Sequence, residues 1–223
     1  MINYYEGTVF NTDANAIVNT INCDGFMGAG LALEFALRYP NMLKDYENKC
    51  KNKQIKIGLI DYFKDQNITI VNFPTKNSFK YPSNIAWIKQ GLQNFRDTYK
   101  SNNITSVAFP KLGCSNGGLD WDIVKNEMEK YLSDLDIDIY ICTDTLKEAQ
   151  GKELEMLQEI NTISIEDLSQ KVKINQKQKM ALINNRPYKR FWMIAKTPDI
   201  GKTSYKNLFT YFYNNNSTQI KLF

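Results

Sequence analysis

Two glycine-rich loops are the part of this sequence whose residue types and spacing are best suited to chemistry. The first covers Asn22–Leu31 and the second covers Lys111–Leu119, and each follows an apolar segment and precedes a helical pattern. Backbone N–H groups of such loops, aided by a helix N-terminus, bind phosphate oxygens, and glycine lets the backbone approach the ligand closely. Neither loop matches GxxxxGK[ST], so a Walker-type nucleotidase is not supported. The pair indicates a diphosphate held mainly by backbone groups, and tight turns without a ligand are the alternative.

The second informative feature is a residue type that is missing. The sequence contains no histidine, which excludes Ser-His-Asp triads, Cys-His pairs and zinc sites with imidazole ligands. The four cysteines, Cys23, Cys50, Cys114 and Cys142, form no CxxC pair, so we expect free thiols rather than a zinc ribbon. Acid–base or nucleophilic work therefore falls to Lys, Asp, Glu, Cys, Tyr or backbone groups. We predict neither a metal nor a cofactor.

Alternating strands and helices must position the two loops. The apolar patterns predict strands at 16–19, 58–64, 68–73, 106–110 and 137–142, and helices at 31–51 (broken or bent at Pro40), 85–99 and 120–132. This order favours an α/β fold, with helices on the faces of a mixed or parallel sheet. Ligands of such sheets bind beyond the carboxyl ends of the strands, where both glycine loops are expected.

The residues around both loops resemble the macrodomain family. The string Asp13–Asn22, followed by Gly28–Ala32, is similar to the first ligand loop of macrodomains. Ala108–Cys114, followed by Gly117–Leu119, is similar to their second loop, in the same order and with the same spacing. The resemblance covers residues 1 to about 145. It implies a three-layer α/β/α fold with a mixed central sheet that binds ADP-ribose.

Within that family, the chain looks most like the DNA ADP-ribosyl glycohydrolases, antitoxins of toxins that modify thymine in DNA. The strings that carry this likeness are Asn72–Lys76, the helix from Ile85, Phe109–Cys114 and Gly118–Trp121. Relatives that release ADP-ribose from modified carboxylates share the lysine-based pattern, but they carry an acidic residue in the second loop. Ser115–Gly118 contains no carboxylate, which favours the DNA-directed activity. A protein-directed glycohydrolase and a non-enzymatic ADP-ribose reader are the alternatives.

The resemblance assigns ligand contacts to both loops and to one position near the N-terminus. Asn22 matches the asparagine near the distal ribose hydroxyls, and residues 28–31 match the backbone that approaches the diphosphate. Thr8 stands near adenine, where many macrodomains have an aspartate, so we expect backbone N–H groups to contribute there. The expected substrate-binding residues are Thr8, Asn22, Gly25, Phe26, Met27, Gly28, Ala29, Gly30, Leu31, Gly113, Cys114, Ser115, Asn116, Gly117, Gly118 and Leu119.

Lys76 matches the catalytic lysine of the glycohydrolase subfamily. A lysine that is desolvated, or placed among other cations, can become a nucleophile because its pKa falls. The mechanism that the resemblance implies is attack of Lys76 on the anomeric carbon, with thymine as the leaving group. On composition alone, Lys76 is one of many lysines, and an ordinary surface position is the alternative. Asp24 is a second candidate for a general base.

The C-terminal part of the sequence differs in charge from the rest. Residues 1–150 hold 16 basic and 18 acidic side chains, and residues 151–223 hold 12 and 6, which together make the 28 and 24 of the chain. We predict one domain at 1–146 and a small, basic, aromatic-rich, mainly helical region at 147–223. Arg186–Trp192 interleaves basic and aromatic residues. It could contact DNA, form the core of its own small subdomain, or dock a toxin.

These patterns also predict partners and location. We expect ADP-ribosylated single-stranded DNA as the substrate, ADP-ribose as the ligand and product, and an ADP-ribosyltransferase toxin as a possible partner. No apolar run approaches the ~20 residues of a membrane span, and the first residues lack the pattern of a signal peptide. We therefore predict a cytoplasmic protein without a membrane segment.

Overall fold

The computed structural model describes residues 1–215, and the chain divides into two compact units, Met1–Thr145 and Leu146–Phe223. Residues 216–223, which belong to the predicted C-terminal region, lie outside the described residues. Within residues 1–215, no helix is both long enough and apolar enough to cross a membrane.

The first unit is built on a six-stranded mixed sheet. Its strands are β1 (Ile2–Tyr5), β2 (Ala16–Asn22), β3 (Asp61–Asp65), β4 (Ile68–Lys76), β5 (Ser106–Pro110) and β6 (Asp138–Cys142). The strand order is β1-β6-β5-β2-β4-β3, and only β3 runs antiparallel to its neighbour. The carboxyl ends of five strands therefore meet at one edge of the sheet.

Helices cover both faces of this sheet, which confirms the three-layer α/β/α fold. Helices α1 (Gly30–Arg38) and α2 (Pro40–Lys51) pack on one face, and α3 (Ile85–Thr98) and α4 (Trp121–Leu132) pack on the other. Side chains of a strand alternate between faces, so one central strand contributes to both cores. In β2, the side chains of residues 16 and 18 join the α3–α4 core, and those of residues 17 and 21 join the α1–α2 core.

The second unit is helical. It consists of α5 (Gly151–Thr162), α6 (Ile165–Lys171), α7 (Gln176–Asn184), a 3₁₀ segment (Phe191–Lys196) and α8 (Lys202–Asn215). Phe191 lies at its centre, with the rings of Phe209 and Phe212 at centroid distances of 5.3 and 6.4 Å. These three rings are buried, so they form the core of this unit.

Arg186–Trp192 is therefore not a continuous basic and aromatic surface. Arg190 is 7% exposed, and its Nε donates to both carboxylate oxygens of Glu153 at 3.1 Å. Tyr188 and Phe191 are buried, whereas Trp192 is exposed. The sequence allowed three roles for this segment: contact with DNA, the core of its own subdomain, or docking of a toxin. The packing favours the core.

Candidate functional site

The residues singled out in the sequence lie along the edge of the sheet where the parallel strands end. Thr8 follows β1, Asn22 ends β2, Lys76 ends β4, and Lys111 follows β5. Asn22 and Lys76 are register partners at the end of the β2–β4 ladder. Neighbouring strands are separated by about 4.8 Å, so the four steps from β1 to β4 span about 19 Å. The edge can therefore accommodate an extended ligand.

The first glycine loop, loop A (residues 22–30), is shaped by the amide of Asn22. Its Oδ1 accepts a hydrogen bond from the Asp24 N–H at 2.9 Å, and its Nδ2 donates to the Phe26 carbonyl at 2.6 Å. The Tyr46 hydroxyl, from α2, donates to the Asn22 carbonyl at 2.8 Å. Met27 is buried in the core, so any contact from this residue to a ligand must come from its backbone. Asn22 thus organises the loop as well as standing at its start.

The two helices that follow the glycine loops differ at their N-termini. Ala29 precedes α1 and offers no side-chain cap, and Gly30 begins the helix with a φ of +55°. At α4, the Oδ1 of Asp120 accepts from the N–H groups of Asp122 and Ile123 at 2.9 and 3.2 Å. A helix N-terminus without an acidic cap attracts anions, whereas a capped one has its N–H groups occupied. Of these two, α1 is the helix that can assist phosphate binding.

The second glycine loop, loop C (residues 111–119), is tightly folded on itself. A Cβ at Gly117 would lie 2.1 Å from the Gly113 carbonyl oxygen, and Gly113 and Gly118 have φ values of +67° and +77°. The N–H groups of Cys114, Gly118 and Leu119 donate to carbonyls inside the loop. This leaves residues 115–117, at the tip of the loop, as the place where N–H groups can meet an anion.

A third segment, loop B (residues 76–84), joins the other two. The Lys76 amine donates to the Asn116 carbonyl at 2.5 Å, and the Ser83 N–H donates to the Gly117 carbonyl at 2.9 Å. On the other side, the Cys23 N–H donates to the Lys76 carbonyl at 3.2 Å. Loops A and C also approach each other, because a Cβ at Gly30 would lie 2.9 Å from Asn116 Nδ2. The three loops therefore meet beside the Lys76 amine.

Asp24 ties loop A to loop B. Its Oδ2 accepts from the Ser78 hydroxyl at 2.6 Å and from the Phe79 N–H at 3.1 Å. Phe79 in turn packs on Phe26, with ring centroids 5.0 Å apart. Sequence analysis had missed Ser78, Phe79 and Ser83, although Ser78 and Phe79 follow Lys76 within three residues. The basic and aromatic composition of that stretch was the available signal.

A buried polar chain lies behind the strand ends. Asn19 Nδ2 donates to Asn72 Oδ1 at 3.0 Å, Asn72 Nδ2 donates to Asp61 Oδ2 at 3.0 Å, and Lys49 Nζ donates to Asp61 Oδ1 at 2.6 Å. Burial opposes the charge of Lys49, but hydrogen bonds to Asp45 and Asp61 outweigh it and raise the pKa of this lysine. Asn19 and Asn72 are fully buried, so the chain fixes β2 against β4 just before the site.

The thiols near the loops are poor nucleophiles. Burial raises the pKa of Cys23 and of Cys114 to about 11, and Asp24 adds to the effect at Cys23. Thiols with such pKa values are almost fully protonated at neutral pH, and the thiolate is the reactive form. Among residues 1–215, no group of three or more His, Cys, Asp or Glu side chains is arranged to hold a metal ion. Lys76 is therefore the nucleophile candidate at the junction of the loops.

Comparison with known proteins gives one family model and several curated relatives. Residues 18–128 match the family model described as Macro domain. The DNA ADP-ribosyl glycohydrolase of Mycobacterium tuberculosis is 42% identical over 147 residues, which are 63% of this chain and 42% of that protein. A DNA ADP-ribosyl transferase–DNA ADP-ribosyl glycohydrolase fusion protein of Thermosipho africanus is 31% identical over 155 residues, 61% of this chain and 40% of that protein. The chain thus spans about two fifths of the length of these curated relatives.

Solved structures of two such relatives have the same fold over the first unit. The macrodomain of Mycobacterium tuberculosis DarG superposes with a TM-score of 0.62 at 40% identity, over 64% of this chain and 97% of that chain. The structure of Thermosipho africanus DarTG in complex with ADP-ribose superposes with a TM-score of 0.63 at 30% identity, over 69% of this chain and 44% of that chain.

Proposed function

Because the chain belongs to the macrodomain family, we propose that it removes ADP-ribose from ADP-ribosylated thymidine in single-stranded DNA, with Lys76 as the nucleophile. The observation that carries this proposal is the Lys76 amine at the junction of three loops, 2.5 Å from the Asn116 carbonyl oxygen. The absence of a carboxylate from Ser115–Gly118 favours DNA over modified acidic side chains. The relatives named DNA ADP-ribosyl glycohydrolase support the same substrate.

The proposed ligand position follows the edge of the sheet. The diphosphate lies between the N-terminus of α1 and the tip of loop C, where backbone N–H groups are available. Adenine extends toward β1 and the backbone after it, near Thr8. The distal ribose lies over loop A, beside Asn22, which brings its anomeric carbon toward Lys76. Gly30 allows the positive φ with which α1 begins, and Gly28 leaves room for the Phe26 ring.

The reaction is a displacement at the anomeric carbon in two steps. The Lys76 amine, in its neutral form, attacks this carbon and the bond to the thymine nitrogen breaks. The base, still part of the DNA, takes up the proton that the attacking nitrogen gives up. Water then attacks the same carbon, the bond to Lys76 breaks, and ADP-ribose is released. An oxocarbenium-like transition state gains from groups that are already positioned around it. Asp24 is less suited to be a general base, because the Ser78 hydroxyl and the Phe79 N–H both donate to its Oδ2 atom.

We also propose that the chain serves as an antitoxin that counteracts a DNA ADP-ribosyltransferase. Support comes from the Thermosipho africanus relative, which carries both a transferase and a glycohydrolase in its name. Such pairing gives the glycohydrolase a source of its substrate. We place the catalytic work in the first unit, whose three loops carry the proposed site.

A product assay tests the proposed activity. The full chain is incubated with an ADP-ribosylated thymidine oligonucleotide and, separately, with a protein modified on glutamate, and free ADP-ribose is measured by mass spectrometry. We expect release from the oligonucleotide and little from the protein. Release from the protein alone would identify a protein-directed glycohydrolase. ADP-ribose binding without release from either substrate would identify a reader.

A further inference from the structure

Two exposed phenylalanine rings lie against each other on two of the loops that meet at the proposed nucleophile. Phe26 of loop A and Phe79 of loop B are 48% and 46% exposed, and their ring planes meet at 47°. The Phe26 ring lies over Gly28, since a Cβ at that glycine would stand 2.3 Å from its Cε1 and Cζ atoms. Exposing this much aromatic surface to water is unfavourable. A planar partner that covers the rings buries that surface and gains the corresponding free energy.

The ring pair is held at a fixed place relative to the reacting centre. Asp24 anchors Phe79 by accepting from its N–H at 3.1 Å and from the Ser78 hydroxyl at 2.6 Å. Phe79 lies three residues after Lys76, so their Cα atoms are separated by at most about 11 Å. That distance corresponds to about three nucleotides of a stacked DNA strand. Bases that flank the modified thymine at Lys76 are therefore within reach of the rings.

Two lysines of loop B lie on the same loop as the Phe79 ring, and the carboxylate that contacts this loop, Asp24, already accepts hydrogen bonds from Ser78 and the Phe79 N–H. Loop B contains Lys76 and Lys80 and no acidic residue. The Lys80 amine lies 5.9 Å from the centroid of the Phe79 ring, and Tyr81 adds a further aromatic side chain that is 66% exposed. Aromatic faces that alternate with cations are the general means of holding single-stranded nucleic acid, because every base can stack and every phosphate is negative.

We propose that Phe26, Phe79, Lys80 and Tyr81 form a stacking platform for the bases that flank the modified thymidine. This platform, which rests on the function proposed above, would make the protein prefer a modified oligonucleotide to a modified mononucleotide. The phenylalanine rings stack on flanking bases, and Lys80 lies close to the phosphates between them. The platform adds affinity for the DNA strand and leaves the chemical step at Lys76 unchanged.

The test compares two substrates with wild-type protein and Phe79→Leu, which keeps an apolar side chain but removes the ring face. The substrates are ADP-ribosylated thymidine monophosphate and a short single-stranded oligonucleotide with the same modification. Stacking contributes about 1–3 kcal/mol per base, which corresponds to an increase in KM of about 5- to 150-fold for the oligonucleotide. We expect kcat for both substrates, and KM for the mononucleotide, to stay within about twofold.

Two further variants test whether the effect comes from the aromatic face at position 79 or from the loss of any exposed aromatic side chain. Phe79→Trp retains an aromatic face and should keep the oligonucleotide preference. Trp192→Leu removes an exposed aromatic from the second unit, outside the three loops, and should leave both substrates unaffected. An equal loss on both substrates for Phe79→Leu would overturn the platform, because the ring would then only support loop A. An unchanged KM for the oligonucleotide would overturn it as well.

Binding measurements test the platform separately from the proposed glycohydrolase activity. Wild type that releases nothing from either substrate would refute the glycohydrolase activity. Binding of the same modified oligonucleotide and mononucleotide is therefore also measured in the Lys76→Ala background, with and without Phe79→Leu. A selective weakening of oligonucleotide binding would support the platform even then. Equal affinities with and without the Phe79 ring would overturn it.

Discussion

Replacing Lys76 with alanine should separate the two things that this side chain does in the structure. The amine makes one tether, to the Asn116 carbonyl at 2.5 Å, from a half-buried position. A hydrogen bond within a protein contributes about 1 kcal/mol net. Loss of the tether should therefore weaken ADP-ribose binding by about fivefold at most. Loss of the reacting amine should lower turnover by at least about 100-fold.

The assay is single-turnover release of ADP-ribose from modified single-stranded DNA, with calorimetry of ADP-ribose binding on the same protein. Lys76→Arg should also lose turnover, because a guanidinium stays protonated and cannot act as a nucleophile. Lys64→Ala is a matched control, since Lys64 is an exposed lysine on β3. It should retain both turnover and affinity. A change in turnover that exceeds the change in affinity is the signature of a group that acts in the transition state.

Two results would refute this reasoning. Near wild-type turnover by Lys76→Ala would show that the lysine is only a tether, and Asp24 or a water positioned by Asn22 would become the catalytic candidate. Parallel losses of about 50-fold or more in both affinity and turnover would show that Lys76 acts by holding loop C in place. The fivefold limit on binding distinguishes this second result from loss of a nucleophile.

Four further predictions follow from the loops and from the second unit. Gly117→Ala should weaken ADP-ribose binding by at least about tenfold in calorimetry, because its Cβ would stand 2.1 Å from a backbone oxygen. Gly201→Ala, with open space around it, should leave the affinity unchanged. Glu153→Gln should lower the free energy of unfolding by about 2 kcal/mol in urea titrations, because it removes the carboxylate charge that pairs with the buried Arg190 side chain, and ADP-ribose affinity should persist. Treatment with a chelator should leave binding and turnover intact, and activity restored only by added magnesium would contradict this. Alkylation of Cys114 at pH 7.5 should be slow, since a thiol with a pKa of about 11 has about one thiolate in 3,000 molecules, and rapid labelling in a mass spectrum would argue against that environment.

Local sequence patterns predict the bounds of an element correctly where that element carries its own apolar periodicity, capping residue or proline. The strand at Ser106–Pro110 and the helix after Asp120 have the bounds that apolar periodicity and a capping residue predict. The break at Pro40 likewise separates α1 from α2. β1 was missed because it is a short edge strand whose central residues are exposed, so it lacks an apolar pattern. Its pairing with β6 supplies the order that its sequence does not signal.

The ends of β2 and β4 depended on tertiary structure. Sequence analysis ended them at residues 19 and 73, but they continue to Asn22 and Lys76. Pro74 argues against a central strand, since it cannot donate to a sheet ladder. β3 pairs with β4 only as far as Asn72, so Pro74 has a strand neighbour on one side alone and is tolerated there. This extension brings Lys76 level with Asn22, which no local pattern could establish.

The contacts between loops A and B could not be predicted from the sequence, because they depend on which strands pair. Phe26 and Phe79 are more than fifty positions apart, and only the register of β2 with β4 brings them together. The same holds for Asn19 and Asn72, which are register partners and hydrogen-bond inside the core. Residue types identified the chemistry of the loops, but the pairing of the strands determined which side chains share a site.

The arrangement of the three loops also indicates how binding and catalysis are linked. The Asn116 carbonyl that holds the Lys76 amine belongs to the tip of loop C, where the diphosphate is proposed to bind. A ligand that orders this tip therefore also orders the position of the nucleophile, through a backbone atom that no side-chain substitution removes. Binding energy from the diphosphate, remote from the bond that breaks, can in this way be used to position the reacting amine. Thymidine modified with ribose alone would lack this effect, so the ADP portion should raise kcat and not only affinity.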